Sequence, residues 1–160
     1  MRSILLKLGI LCVLLARIGL AGTAADIYRA TGVKGGLVVH WNCGDGRLTT
    51  ALRANQSFLV HGLASDASDV LSARQRVASA GLQGSVVIEQ WSKQYLPYAD
   101  NLVQLFVAEL IGAVPMTEIM RVLSPGGAAY IESNGRWTLT RKPRPGDIGE
   151  WTHYLHGPDN

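Results

Sequence analysis

The sequence holds 160 residues, is 48% hydrophobic and carries a formal net charge of +3, which is enough for one compact core and short of two domains. Three basic residues (Arg2, Lys7 and Arg17) and no acids fall within the first 25 positions, leaving twelve of each sign in the rest. The basic excess belongs to a terminal segment, which excludes a nucleic-acid-binding face as its cause.

That segment, "MRSILLKLGILCVLLARIGLAGTAAD", has early positive charges, an apolar run and then small residues around Thr23, Ala24 and Ala25. The pattern is that of a secretory signal peptide over residues 1–25, cleaved near Ala24 or Ala25, and it implies export to the periplasm or beyond. The alternative is an uncleaved membrane anchor made by the same run; no other membrane segment is expected. Cys12 follows bulky Leu11 and does not fit a lipid-attachment site. Without Cys12 only Cys43 remains, so no internal disulfide forms.

Beyond the leader, apolar runs alternate with helical patterns. "GLVVHW" (36–41) reads as a buried strand and "GRLTTALRA" (46–54) as a short helix after a glycine turn. "SFLVHGL" (57–63) is a second strand. Residues 65–81 form the clearest helix, capped by Asp66, with Val70, Arg74 and Val77 at helical spacing and Gly81 as its stop. "SVVIEQW" (85–91) and "NLVQLFVAEL" (101–110) are strands three and four. "MTEIMRVL" (116–123) is a helix that "SPGG" ends before the strand "AAYIE". Asn134-Gly135, between two runs of β-formers, predicts a tight hairpin. "KPRPGD" then reads as an extended linker. The alternation predicts an α/β, Rossmann-like, mostly parallel sheet with helices on both faces, shortened at its C-terminal end by the hairpin.

In such a sheet the glycine turn after the first strand, "VVHWNCGDG" (38–46), lets the backbone approach a ligand. Gly44 and Gly46 meet that need, although glycine is also the default residue for any sharp strand-to-helix connection. His40, Cys43 and Asp45 lie close together, but a strand turns alternate side chains to opposite faces and no second ligand pair is evident, so no metal site is expected. Cys43 is a candidate reactive thiol at a helix start, with small buried packing residue as the simpler account. Glu109, just past strand four, is a candidate proton acceptor or a solvated loop acid.

Taken in order, "VVHWNCGDGRLTTAL", "FLVHGLASDASDVLSAR", "LPYADNLVQLFV" and "EIMRVLSPGGAAYIE" resemble the landmarks of class I S-adenosylmethionine-dependent methyltransferases over 36–132. The resemblance implies a cofactor site built from His40, Asn42, Cys43, Gly44 and Gly46 in the first loop, Ala64 and Ser65 after strand two, and Ser92 after strand three. It also exposes departures. His40 stands at the first acidic position, Asn42 at the first loop glycine, Ala64 at the ribose carboxylate and Ser92 near the adenine-side acid. Asp66 offers a substitute ribose ligand, against its simpler role as a helix cap. Hydrogen bonds to charged groups contribute about 1.5–3 kcal/mol each, against about 8 kcal/mol for micromolar affinity; losing two or three removes most of the binding.

The ending "KPRPGDIGEWTHYLHGPDN" resembles the junction between a methyltransferase-like domain and a PQQ-like (quinoprotein-type) β-propeller in exported bacterial proteins. It implies a fused or adjacent propeller as partner and places His153 and His156 in the junction. The expected division is a signal peptide (1–25), a methyltransferase-like domain (26–140), and a linker with the start of a propeller (141–160). Two functions follow: an S-adenosylmethionine-dependent methyltransferase-like domain with an eroded site, or a non-catalytic ligand-binding or structural module attached to the propeller.

Overall fold

The computed structural model describes residues 22–112 and 114–146. The apolar run of the leader, Cys12, His153, His156 and most of the propeller junction lie outside the described residues.

The elements run α1 (Ala24–Thr31), β1 (Gly36–Trp41), α2 (Arg47–Leu52), β2 (Phe58–Ala64), α3 (Ala67–Ser79), β3 (Val86–Gln90), β4 (Val103–Ala108), α4 (Met116–Val122), β5 (Leu123–Ser133) and β6 (Arg136–Arg141). One six-stranded sheet has the order β3-β2-β1-β4-β5-β6. All pairings are parallel except β5 with β6. The fold is thus the Rossmann-like sheet of class I methyltransferases, closed at one edge by an antiparallel hairpin. Asn134 (φ 53°) and Gly135 (φ 76°) make its turn, with both central residues left-handed as a two-residue hairpin demands.

Central strands are buried on both faces, which is why they read as unbroken apolar runs. Val38 of β1 packs with Ile27, Leu52, Ala73 and Leu105 beneath α1, α2 and α3. Its neighbour Val39 packs on the opposite face with Leu63, Phe106, Ile119 and Leu123 beneath α4. The connection between β3 and β4 covers part of that second face through buried Leu96. It is clamped there by Arg121 of α4, which donates to the carbonyls of Leu96 and Tyr98 and pairs with Glu118 and Asp100.

Two local readings change. Helix α1 was not anticipated: Thr23 accepts the Asp26 amide at 3.2 Å and donates to the Asp26 carboxylate at 2.6 Å, so "TAAD" works as a helix-capping pair, and Ile27 is buried. "SPGG" does not end α4 before a later strand. Leu123 already has extended backbone and β5 begins there, with a register shift opposite Val103–Leu105 that absorbs Gly126 at φ 80°. Gly81 stops α3 as expected, following the cap residue Ala80 in the left-handed conformation at φ 66°. Asp66 caps α3 as expected, accepting from the Ser68 amide. Among the described residues no helix is long and apolar enough to cross a membrane.

Candidate functional site

The sheet reverses direction of winding between β1 and β4, and a crevice outside the carboxyl ends of strands at such a point is where open α/β sheets bind ligands. The loop after β1 occupies it. Asn42 (φ 55°), Gly44 (φ 49°) and Gly46 (φ 77°) are all left-handed. Asn is among the few residues with a side chain that adopt this conformation readily, so the departure at Asn42 keeps the loop's shape. The turn is pinned by the Cys43 amide donating to Leu63 O and the Gly46 amide donating to Cys43 O, both at 3.0 Å.

The two surviving glycines serve different ends. A Cβ on Gly46 would stand 2.8 Å from the Ala73 Cβ and 2.9 Å from its Cα, so Gly46 is required by the packing of α3. A Cβ on Gly44 would meet nothing within 4 Å. Gly44 instead lines a cavity of about 630 Å³ with His40, Cys43, Leu48, Thr23, Ala24 and Glu109, a volume within the usual range for small-molecule sites.

His40 is 1% exposed. Its Nδ1 lies 2.8 Å from Thr49 Oγ1, while its Nε2 has no partner among the described residues. Burial lowers its pKa to about 4, so the imidazole is neutral at neutral pH. Cys43 is buried beside the same threonine, and burial pushes its thiol up to about 11; this sulfur is a packing group, not a thiolate. Gly62 of β2 makes room for both, since a Cβ there would lie 2.9 Å from Thr49 Cγ2 and 3.1 Å from Cys43 Sγ. Asp45 is engaged structurally: it accepts from the Arg47 amide at 2.9 Å and from Arg76 of α3 at 2.8 Å. The first of these bonds is the main cause that holds its carboxyl below the usual range.

Ala64, Ser65, Asp66 and Ser92 stand apart from this cavity's lining. Ala64 ends β2 at 1% exposure, its carbonyl taken by the Trp91 amide at 2.8 Å. Ser65 is exposed, and its carbonyl accepts from Gln90 Nε2. Ser92 is exposed beyond β3. Asp66 Oδ1 accepts both the amide and the hydroxyl of Ser68, each at 3.0 Å, the bonds of a helix cap. Glu109 is exposed at the cavity rim. Sequence reasoning missed Thr49, which orients His40, and Thr23 with Ala24, which wall the cavity from α1; the helical position of Thr49 nine residues after His40 carried no motif, and the cap in "TAAD" was masked by its fit to a cleavage site. Among the described residues no three His, Cys, Asp or Glu side chains gather to hold a metal.

Neither a protein-family model nor a curated protein sequence matches the chain. Solved structures do, and these neighbours are class I S-adenosylmethionine-dependent methyltransferases and proteins of their fold. A protein from Methanococcus maripaludis assigned as an S-adenosyl-L-methionine-dependent methyltransferase superposes with TM-score 0.62 at 27% identity, over 68% of this chain and 52% of that one. Geranyl diphosphate C-methyltransferase from Streptomyces coelicolor, solved with Mg²⁺, geranyl diphosphate and S-adenosyl-L-homocysteine, gives 0.61 at 18% identity, over 68% and 43%. The cyclase SpnF gives 0.61 at 23% identity, over 68% and 42%. The chain thus spans about half the length, or less, of these structures.

Proposed function

We propose that this domain is an S-adenosylmethionine-dependent methyltransferase-like module whose cofactor site is eroded, so that it binds the cofactor weakly and transfers no methyl group efficiently. The observation that carries the reading is the end of β2: Ala64 is buried and offers no polar side-chain atom where the resemblance requires a carboxylate for the ribose hydroxyls. Against S-adenosylmethionine the residues fit on one side only. The open backbone at Gly44 and the cavity beside it suit the methionine half. The ribose half lacks a carboxylate at the end of β2, and the nearest one, Asp66, has its Oδ1 engaged in capping α3. No methyl-transfer step is therefore assigned to these residues.

Neutral His40 also supports a second use of the cavity, as a ligand-binding module without catalysis. Export, with the leader as signal or anchor, and a PQQ-like propeller following residue 141 complete the proposal; they rest on the sequence patterns at the two ends. Calorimetry of S-adenosylmethionine and S-adenosylhomocysteine on the chain tests the cofactor reading. Dissociation constants near millimolar are expected. Low-micromolar binding would refute erosion, and no heat at millimolar ligand would leave only the non-catalytic module.

A further inference from the structure

At the opposite end of the sheet, a second cavity of about 360 Å³ opens where α1 passes into β1 and the start of β5 meets the end of β6. Lys34, Arg141 and Arg144 converge on it beside Gly32, Ser124 and Gly126, and no carboxylate side chain among the described residues lines it. Arg29, Arg47, Arg76 and Arg121 each pair with Asp or Glu. Arg141, like Arg74, is held by backbone carbonyls instead. It donates to the carbonyls of Thr31 and Gly126, which fix the guanidinium in place while leaving its charge uncompensated.

The wall behind it is stiff. A Cβ on Gly127 would stand 2.8 Å from Ser124 O and 3.0 Å from Val103 O, so the backbone folds tightly on itself there. Like charges held in one concavity raise the local potential and favour an anion. A fixed guanidinium, an exposed ammonium and a hydroxyl together match a tetrahedral oxyanion, which accepts hydrogen bonds from several directions. We infer that this cavity is a phosphate-binding site, taking a phosphoryl group carried either by a small soluble molecule or by a lipid headgroup. It shares no lining residue with the cavity at His40 and stands whether or not that cavity binds S-adenosylmethionine.

Titration of the 160-residue chain with pyrophosphate at low ionic strength, and sedimentation with phosphatidylcholine vesicles with and without phosphatidic acid, test the site. Lys34→Gln is expected to weaken the interaction about tenfold, the loss of one charge-assisted contact. Arg141→Gln should weaken it at least as much, but this residue also ties α1 to β5 and its variant can fail for structural reasons; Lys34→Gln makes no such tie and carries the test. Pyrophosphate binding that Lys34→Gln weakens supports a soluble ligand. Binding confined to phosphatidic acid vesicles and weakened by Lys34→Gln supports a headgroup. Absence of both, or binding indifferent to Lys34→Gln, overturns the site.

Discussion

Replacing the two glycines of the β1 loop one at a time separates a packing role from a binding role. In Gly46→Ala the new methyl stands 2.8 Å from the Ala73 Cβ and 2.9 Å from its Cα, against the roughly 3.5–4.0 Å at which carbons normally rest. Ala73 is fully buried in the middle of α3, so relief requires α3 or the loop to move by the better part of 1 Å. Overpacking of this kind costs about 1–3 kcal/mol, and the left-handed conformation adds about 1 kcal/mol for a residue with a side chain. The sum is roughly 2–4 kcal/mol. Gly44→Ala incurs only the backbone cost of about 1 kcal/mol. With a urea dependence of about 1–2 kcal/mol per molar for a domain this size, the unfolding midpoint should fall by roughly 1–4 M for Gly46→Ala and by about 0.5–1 M for Gly44→Ala. Circular dichroism across a urea series reads both. Adding Ala73→Gly to Gly46→Ala should recover part of the loss, because it removes the nearer contact. Calorimetry should show the reverse ranking for ligand: Gly44→Ala puts its methyl beside the cavity and weakens binding more than its small stability cost explains. Equal midpoint shifts for the two variants would refute the division of roles.

Three further outcomes follow from the same geometry. The folded pKa of His40, about 4, lies below the usual 6.5, so the unfolded chain binds the extra proton first; stability is complete above pH 6.5 and declines by roughly 3 kcal/mol as the pH falls to 4. Urea midpoints at pH 7.5 and 4.5 should therefore differ less in His40→Gln than in the unaltered chain, the residual slope including His61, whose pKa burial also lowers. Ala64→Asp should tighten S-adenosylmethionine about tenfold by calorimetry; unchanged affinity would show that β2 does not end at the ribose. Glu118 is held at about 2, chiefly by the Arg121 guanidinium, so its contribution is complete above pH 4.5 and lost as the pH falls toward 2. Glu118→Gln should flatten that acid limb and lower the neutral-pH unfolding free energy by about 1 kcal/mol, a value reduced by the partial exposure of Arg121.

The sheet was legible because its strands are doubly buried: Val38–Val39 and Leu105–Phe106–Val107 give unbroken apolar runs, and glycines or caps punctuate them. The hairpin at Asn134-Gly135 was legible for a similarly local reason. Helix α1 was not. Thr23, Ala24 and Ala25 read as the small residues of a cleavage site, while Thr23 and Asp26 form a helix cap, and the burial of Ile27 that supports the helix is a tertiary feature. The start of β5 was hidden because Pro125 and Gly126 signal a turn locally, while the register shift that accommodates them depends on the neighbouring strand β4.

The site was legible only in outline, and the reason bears on what a glycine motif establishes. Gly46 is demanded by Ala73 on a helix 27 positions later, Gly62 by the Thr49 and Cys43 side chains, and the left-handed turn at Asn42 survives without a glycine. Packing alone would thus keep much of this loop in place after its ligand contacts had gone. What packing does not require is open space beside Gly44 and an unpartnered nitrogen on a buried His40. Those two features, rather than the spacing of glycines, are the grounds for a ligand in this crevice, and what they offer it is open backbone beside Gly44 and a buried, neutral imidazole.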